Sequence, residues 1–366
     1  MTETCLDVRV RLLGEMALQN GVDRLVISDS LTVSWLLGIR SNVRLGADQP
    51  CFSVELDWRS GDCVVNYVIP RHEADRVRAS LRTDVKYSGC SRYSVYEWSG
   101  SAWDDLDSSG SVGTDVRRDG LRFLGPQIED VRRVLQPEHR RDLRALTAEV
   151  TNLVETIALR VTPSFTELEI AAQVASEALL VDGEPLVVLV GSGRDQFRFK
   201  HPVPRAVPVC GRVVISVGVR RHGVVTSVTR YLTFDPLAPH EHQLYRGLLE
   251  VEAAMLNASV PGARLSDGLE AGKAAYRQQG FPDGTWREHH QGGLAGFAPR
   301  EILAGRDQDP ILLDGAVVAW NPSAAGFKVE EVALVRDGGA QAIGAPGPNW
   351  PSVAVAGRQR PAVLQA

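Results

Sequence analysis

The stretch "RVVISVGVRRHGVVTSVTRYLTF", residues 212–234, decides the fold. Its β-branched residues recur with a period of two, the pattern of strands whose side chains alternate between two faces. Two other stretches read the same way, "PLVVLVGSG" (185–193) and "GAVVAWNPSAAGFKVEEVALVRDGG" (315–339), so one antiparallel sheet is expected from all three. Between them, "APHEHQLYRGLLEVEAAMLNASVPGARLSDGLEAGKAAYRQQGF" (238–281) reads as two helices separated by Pro261-Gly262. Ahead of the sheet, Leu143, Leu146, Val150, Leu153, Val154 and Ile157 recur at helical spacing, predicting a long amphipathic helix. A second helix follows, with Thr166 as its N-cap and Gly183 just past its end. The order is α-α-β-β-α-α-β-β, four helices on one curved antiparallel sheet, an α+β domain.

The N-terminal third has its own pattern. "VDRLVISDSLTVSWLLGI" (22–39) predicts a strand, a turn and a short helix ending at Gly38. "CFSVELDWRSGDCVVNYVI" (51–69) predicts two strands around Ser60-Gly61-Asp62, and "PRHEADRVRASL" a helix opened by Pro70. This is an α/β domain. Residues 99–125, rich in Ser, Gly and Asp, read as a surface excursion or linker. The expected domains are 1–132 and 133–345, with 346–366 a Pro/Gly-rich tail along the surface.

At 366 residues the chain fits two domains, and 44% hydrophobic against 23% charged residues is the balance of a globular protein. Its 40 basic residues are scattered among 45 acidic ones, which argues against nucleic acid as a partner. Five cysteines, odd in number and without Cys-x-x-Cys spacing, read as reduced thiols. With neither an apolar leader in "MTETCLDVRVRLLGEM" nor an apolar run long enough to span a bilayer, a cytoplasmic protein without membrane partners is expected.

Five motifs carry a resemblance. "LVISDSLTVSWLLGI" (25–39) looks like the opening of a creatinase-type N-terminal domain. "SGRDQFRFKHPVPRAVPVCGRVVISVGV" (192–219) looks like a strand, a pocket histidine and an Asp-bearing strand, and "VVTSVTRYLTF" (224–234) like Ser-Asp-x-Thr-Arg-Thr-Phe. "HHQGGLAGF" (289–297) is similar to Gly-His-Gly-x-Gly, and "GFKVEEVALV" (326–335) to Gly-x-Arg-x-Glu-Asp-x-x-x-Val. In this order they resemble the creatinase, prolidase and aminopeptidase P superfamily over almost the whole chain, which implies the pita-bread fold for the C-terminal domain.

Metallopeptidases of that superfamily hold two divalent ions with Asp, Asp, His, Glu and Glu. The resemblance puts Ser216 and Ser227, eleven residues apart, where the two Asp belong, and Asn321 where the first Glu belongs. Only His290 and Glu330 match, too little negative charge for a dimetal centre, so no metal and no cofactor are expected. Metal-free members, creatinase and ectoine hydrolase, supply the alternative. By that resemblance His201 is the general base or acid, and a neutral imidazole suits that work. Glu330 binds the substrate's cationic group, His290 joins it in holding the polarised nitrogen, and Arg300 clamps a carboxylate. A departure lies at Thr229, where creatinase carries a glutamate before its arginine.

The remaining candidates are weaker. His289 reads as orienting its neighbour, and Asn321 as an amide that positions water or a carbonyl. Ser216 and Ser227 sit in no nucleophile elbow and read as hydroxyls facing the pocket. Phe197, Arg198 and Phe199 read as lining the pocket mouth, with Arg194 and Arg198 favouring a carboxylate-bearing ligand, and Trp320 as an apolar wall or as core. Glu331 points to the face opposite Glu330, whereas Lys328 shares Glu330's face and reads as a plain ion-pair partner.

The function expected is metal-independent hydrolysis or elimination at a C–N bond of a small amino-acid-derived molecule, in a homodimer. The alternatives are a non-catalytic binding protein with the same fold and, more weakly, an Xaa-Pro peptidase with an altered metal site.

Overall fold

The computed structural model describes residues 4–45, 49–81, 86–104, 106–107 and 109–366. Two compact units divide at His139 and Arg140, seven residues later than the sequence boundary. Residues 1–3 of the N-terminal stretch, and Asp105 and Ser108 of the expected linker, lie outside the described residues.

The first unit is a six-stranded mixed sheet with helices. Its strands are β1 (Arg24–Ile27), β2 (Ser53–Asp57), β3 (Val64–Pro70), β4 (Cys90–Tyr96), β5 (Val112–Thr114) and β6 (Arg122–Phe123), in the order β4-β3-β2-β1-β5-β6. The helices are α1 (Cys5–Gln19), α2 (Ser30–Leu37), α3 (Ala74–Ser80) and α4 (Gly125–Arg132). Asp29 caps α2 by accepting the Thr32 amide at 2.9 Å, and Gly38 ends it in a left-handed conformation, φ 64°. The linker reading of 99–125 is corrected here. That segment supplies β5, paired parallel to β1, and β6, two strands too short for alternation to reveal.

In the second unit α5 (Pro137–Ala158) begins at the boundary and α6 (Glu167–Leu180) follows. A capping box starts α6: Thr166 accepts the Glu169 amide at 3.1 Å, and the Glu169 carboxylate accepts the Thr166 amide at 2.7 Å. β7 (Glu184–Ser192), a helical turn α7 (Asp195–Arg198), β8 (Arg212–Arg221) and β9 (Val224–Thr233) come next. α8 (Pro239–Ala258) and α9 (Leu265–Gln278) are broken at Pro261-Gly262, where Gly262 takes φ 87°.

The sheet is completed by β10 (Gly292–Ala295), β11 (Ile302–Leu303) and β12 (Val317–Trp320). A small hairpin, β13 (Ser323–Ala324) and β14 (Phe327–Lys328), precedes β15 (Glu331–Leu334) and β16 (Gln341–Ala342). The strand order is β11-β10-β12-β15-β9-β8-β7, with neighbours antiparallel throughout. Leu248, Leu249, Met255, Leu265, Leu269 and Tyr276 of α8 and α9 join Trp320, Phe327 and Ala333 in one buried cluster. All six apolar residues predicted on the face of α5 are buried.

The tail 346–366 lies mostly at the surface, but it has strand structure that the sequence reading did not show. The segment forms a hairpin, β17 (Ser352–Val355) with β18 (Arg358–Pro361), and β19 (Leu364–Gln365) adds parallel to β9. Its Pro/Gly content concealed strands of two to four residues.

Candidate active site

Strand register assembles the site. Ser216 of β8 pairs with Thr229 of β9, Val228 pairs with Glu331, and Trp320 of β12 pairs with Glu331. One step along, Ser216, Thr229, Glu330 and Asn321 therefore form a single row on one face of the sheet. The alternate residues face the helices. Trp320 donates Nε1–H to Ser259 Oγ at 3.0 Å, and its ring packs where a Cβ on Gly268 of α9 would sit. Trp320 is thus core rather than a pocket wall. Glu331 accepts from Arg230 at 3.0 Å and from Arg360, on the face opposite Glu330 as expected.

Glu330 is the hub of the row. Arg300 donates to its Oε1 at 2.8 Å, and the Lys328 ammonium lies 2.8 Å from Oε2. The Thr229 hydroxyl is 3.0 Å from Oε2 and 3.0 Å from Ser216 Oγ, and Lys328 Nζ donates to Ser216 Oγ at 2.7 Å. Burial alone would raise the Glu330 pKa, but Lys328 and Arg300 win and hold it well below the usual carboxylate range. Glu330 thus already pairs with two of the chain's own cations, where the sequence expected it to bind a substrate's cationic group. Arg300, expected as a carboxylate clamp, spends one amino group on Glu330 and the other on the Pro299 carbonyl. Sequence reasoning undervalued Lys328. Its signal was its position two residues before Glu330, read as a bland ion pair, whereas it also holds Ser216 and lines the cleft.

Above the row stand three imidazoles. His201 Nε2 and His289 Nε2 are 3.2 Å apart, and the His289 and His290 rings lie 4.1 Å apart. Partial desolvation lowers the pKa values of the pair His289 and His290: His289 to about 3, with the His290 charge adding repulsion, and His290 to about 4, with Arg300 adding to it. The outer edge of His290 is exposed, but its inner side faces the cations. For His201 the shift is downward, from partial burial and then Lys328. All three are neutral at neutral pH, the state in which an imidazole accepts a proton.

His290 does not lie in the row. It precedes β10 by two residues, and the residue of β10 beside Ala319 is Gly293. A Cβ on Gly293 would lie 2.0 Å from the Ile302 carbonyl oxygen, and one on Gly292 2.1 Å from that of Ala319. This part of β10 can carry no ligand.

The other candidates fall at the margin. Ser227 is buried on the face of the row, two residues before Thr229, and Asn321, at the end of the row, is buried with no hydrogen-bond partner for its Oδ1. Phe199 lines the cleft with Leu189, Pro202, Val214 and Phe327. The Arg198 side chain is 71% exposed beside Asp195, and Phe197 packs against the Arg212 guanidinium at 4.7 Å. Neither reaches the row.

A dimetal centre does not fit this donor set. The pocket face offers two hydroxyls, an amide and a glycine where hard cations need carboxylates, and the one carboxylate is already neutralised by two fixed cations.

An antiparallel curved sheet flanked by helices, with an α/β unit before it, is the pita-bread architecture of the creatinase and aminopeptidase P superfamily. Residues 141–343, more than half of the chain, match Metallopeptidase family M24, and the chain belongs to that family of hydrolases. The putative dipeptidase YkvY of Bacillus subtilis (strain 168) is 26% identical over 125 residues, 34% of this chain and about a third of that protein's length. Dipeptidase PepE from Mycobacterium ulcerans superposes with a TM-score of 0.73 at 18% identity, covering 98% of this chain and 97% of that one. The prolidase from Pyrococcus horikoshii OT3 gives 0.74 at 15% identity, covering 92% and 97%. At these identities the solved structures establish the fold. Among the described residues no helix is long and apolar enough to cross a membrane.

Proposed function

We propose that this protein cleaves a C–N bond in a small, carboxylate-bearing, amino-acid-derived substrate without a metal ion. The observation that carries this is the Lys328–Glu330–Arg300 cluster on the pocket face, where two fixed cations meet one carboxylate and leave one positive charge uncompensated. Such a site attracts an anionic group and stabilises negative charge developing on a carbonyl oxygen, with the ammonium held in place in advance by Glu330 and Ser216. His201, neutral and exposed beside the cleft-lining His289, takes the proton from a water or from the carbon beside the C–N bond and returns it to the leaving nitrogen. Ser216 accepts from the ammonium, and Thr229 bonds Ser216 and Glu330 behind it, so both hydroxyls position the cation. Phe199 and Leu189 give the cleft an apolar wall for the substrate's body. A homodimer is the assembly that goes with this reading.

A binding role without turnover is the second reading. It is favoured by the pairing of Glu330 with two of the chain's own cations, which leaves that carboxylate no uncompensated charge to act on a substrate. The test is elemental analysis of chelator-dialysed protein, followed by a screen of carboxylate-bearing amides, guanidines and cyclic amidines. Turnover with less than about a tenth of a metal ion per chain supports metal-free catalysis, and its loss in Lys328→Met ties it to the fixed cation. Turnover restored only by Mn2+ or Zn2+ refutes it. Saturable binding of such compounds with no turnover selects the second reading.

A further inference from the structure

The three imidazoles at the cleft rim form a constellation separate from the Glu330 row. One ring nitrogen from each of His201, His289 and His290 lies within 4.8 Å of the others, and His201 and His289 bring Nε2 atoms to 3.2 Å. Two imidazoles sharing a tetrahedral ion at about 2.0–2.1 Å place their nitrogens roughly 3.3 Å apart. The pair therefore already spans one edge of such a tetrahedron. The His201 and His290 side chains are exposed, so rotation about their side-chain bonds is open to bring in the third nitrogen. Water reaches the rim and can fill the fourth position.

We propose that His201, His289 and His290 bind one borderline transition-metal ion, of the Zn2+, Ni2+ or Co2+ class, and that this ion inhibits the protein by occupying the lone pair of His201. The inhibitory consequence rests on the reading of His201 as the base. Three nitrogen donors with no carboxylate select this class, since Mg2+, Ca2+ and Mn2+ prefer oxygen. The positive charges of Lys328 and Arg300, only partly offset by Glu330, weaken the site, so binding is reversible rather than structural.

The test is titration of the chelator-treated full-length protein with Zn2+ by calorimetry and with Co2+ by visible absorption. One ion per chain with a tetrahedral Co2+ spectrum is expected, with Mg2+ silent at the same concentration. His289→Gln and His290→Gln should each weaken Zn2+ binding by at least about tenfold. No saturable Zn2+ binding up to about 1 mM, or an affinity unchanged in both variants, overturns the site. That failure leaves metal-free turnover standing, because turnover is read separately on the chelated protein. Chelated protein that turns over and is slowed by stoichiometric Zn2+ supports the inhibition. Chelated protein that turns over only after Zn2+ is added overturns the inhibition and the metal-free reading together.

Discussion

Lys328 contacts both Glu330 and Ser216 in the pocket, and its coupling to Glu330 is measurable. Both side chains are nearly buried, 13% and 10% exposed. Glu330 answers two cations, so Glu330→Gln strands both and should cost about 3–5 kcal/mol, whereas Lys328→Met leaves Glu330 its Arg300 partner and should cost less. Lys328→Met and Glu330→Gln should each lower the urea midpoint, and the double variant should recover at least about 1 kcal/mol of the summed loss. An additive cycle would show that the pair is incidental. The histidines make a second prediction at this scale. His289 and His290 have folded pKa values of about 3 and about 4 against an ordinary 6.5, so the unfolded chain binds protons that the folded one refuses. Their contribution to stability is therefore complete above about pH 6.5 and is lost as pH falls toward 3. Imidazole NMR titrations should give midpoints near 3–4, and midpoints near 6.5 would remove the basis for the packed, neutral cluster. His201 and Glu330 were legible in the sequence because motifs surround them. The pairing of Glu330 with Arg300 was not, since that contact crosses thirty residues of chain.

Among the elements, β8 and β9 were legible because ten-residue strands give alternation room to show, and the row they begin was legible with them. β10 was not. Its four residues include two glycines, which carry no periodicity. In β10, φ is 108° at Gly292 and 156° at Gly293, and the strands on either side approach where side chains would be. Gly293→Ala should therefore cost well over the roughly 1–2 kcal/mol that a left-handed backbone alone imposes. Gly280, φ 75° with nothing near its absent Cβ, is the control, and Gly280→Ala should stay within that range. Equal losses in denaturant unfolding would mean that β10 is looser than its contacts indicate.

At the scale of the whole molecule, a buried ionic chain decides how the C-terminal segment belongs to the second unit. Arg230 of β9 bonds Glu155 of α5 at 2.7 Å and Glu331 of β15 at 3.0 Å, and Arg360 of β18 bonds Glu331 and Glu252 of α8. Three carboxylates and two guanidiniums, each no more than 5% exposed, tie two helices, two sheet strands and the terminal hairpin. The composition of 346–366 could not reveal this, because the meaning of Arg360 lies in carboxylates about thirty and one hundred residues earlier. The link also explains why a Pro/Gly-rich segment holds strand structure: its last residues pair with β9 while its arginine is fixed below the sheet. Arg360→Met keeps the length of the side chain but leaves Glu252 and Glu331 facing each other without their shared cation. It should lower stability by about 3–5 kcal/mol at an unchanged m-value and expose the segment after Trp350 to protease. Adding Glu252→Gln removes one of the stranded charges and should restore part of the loss. If Arg360→Met unfolds at the same denaturant concentration as the parent and its C-terminus stays protected, strand pairing alone holds the segment, and the ionic chain is a consequence of the fold rather than one of its supports.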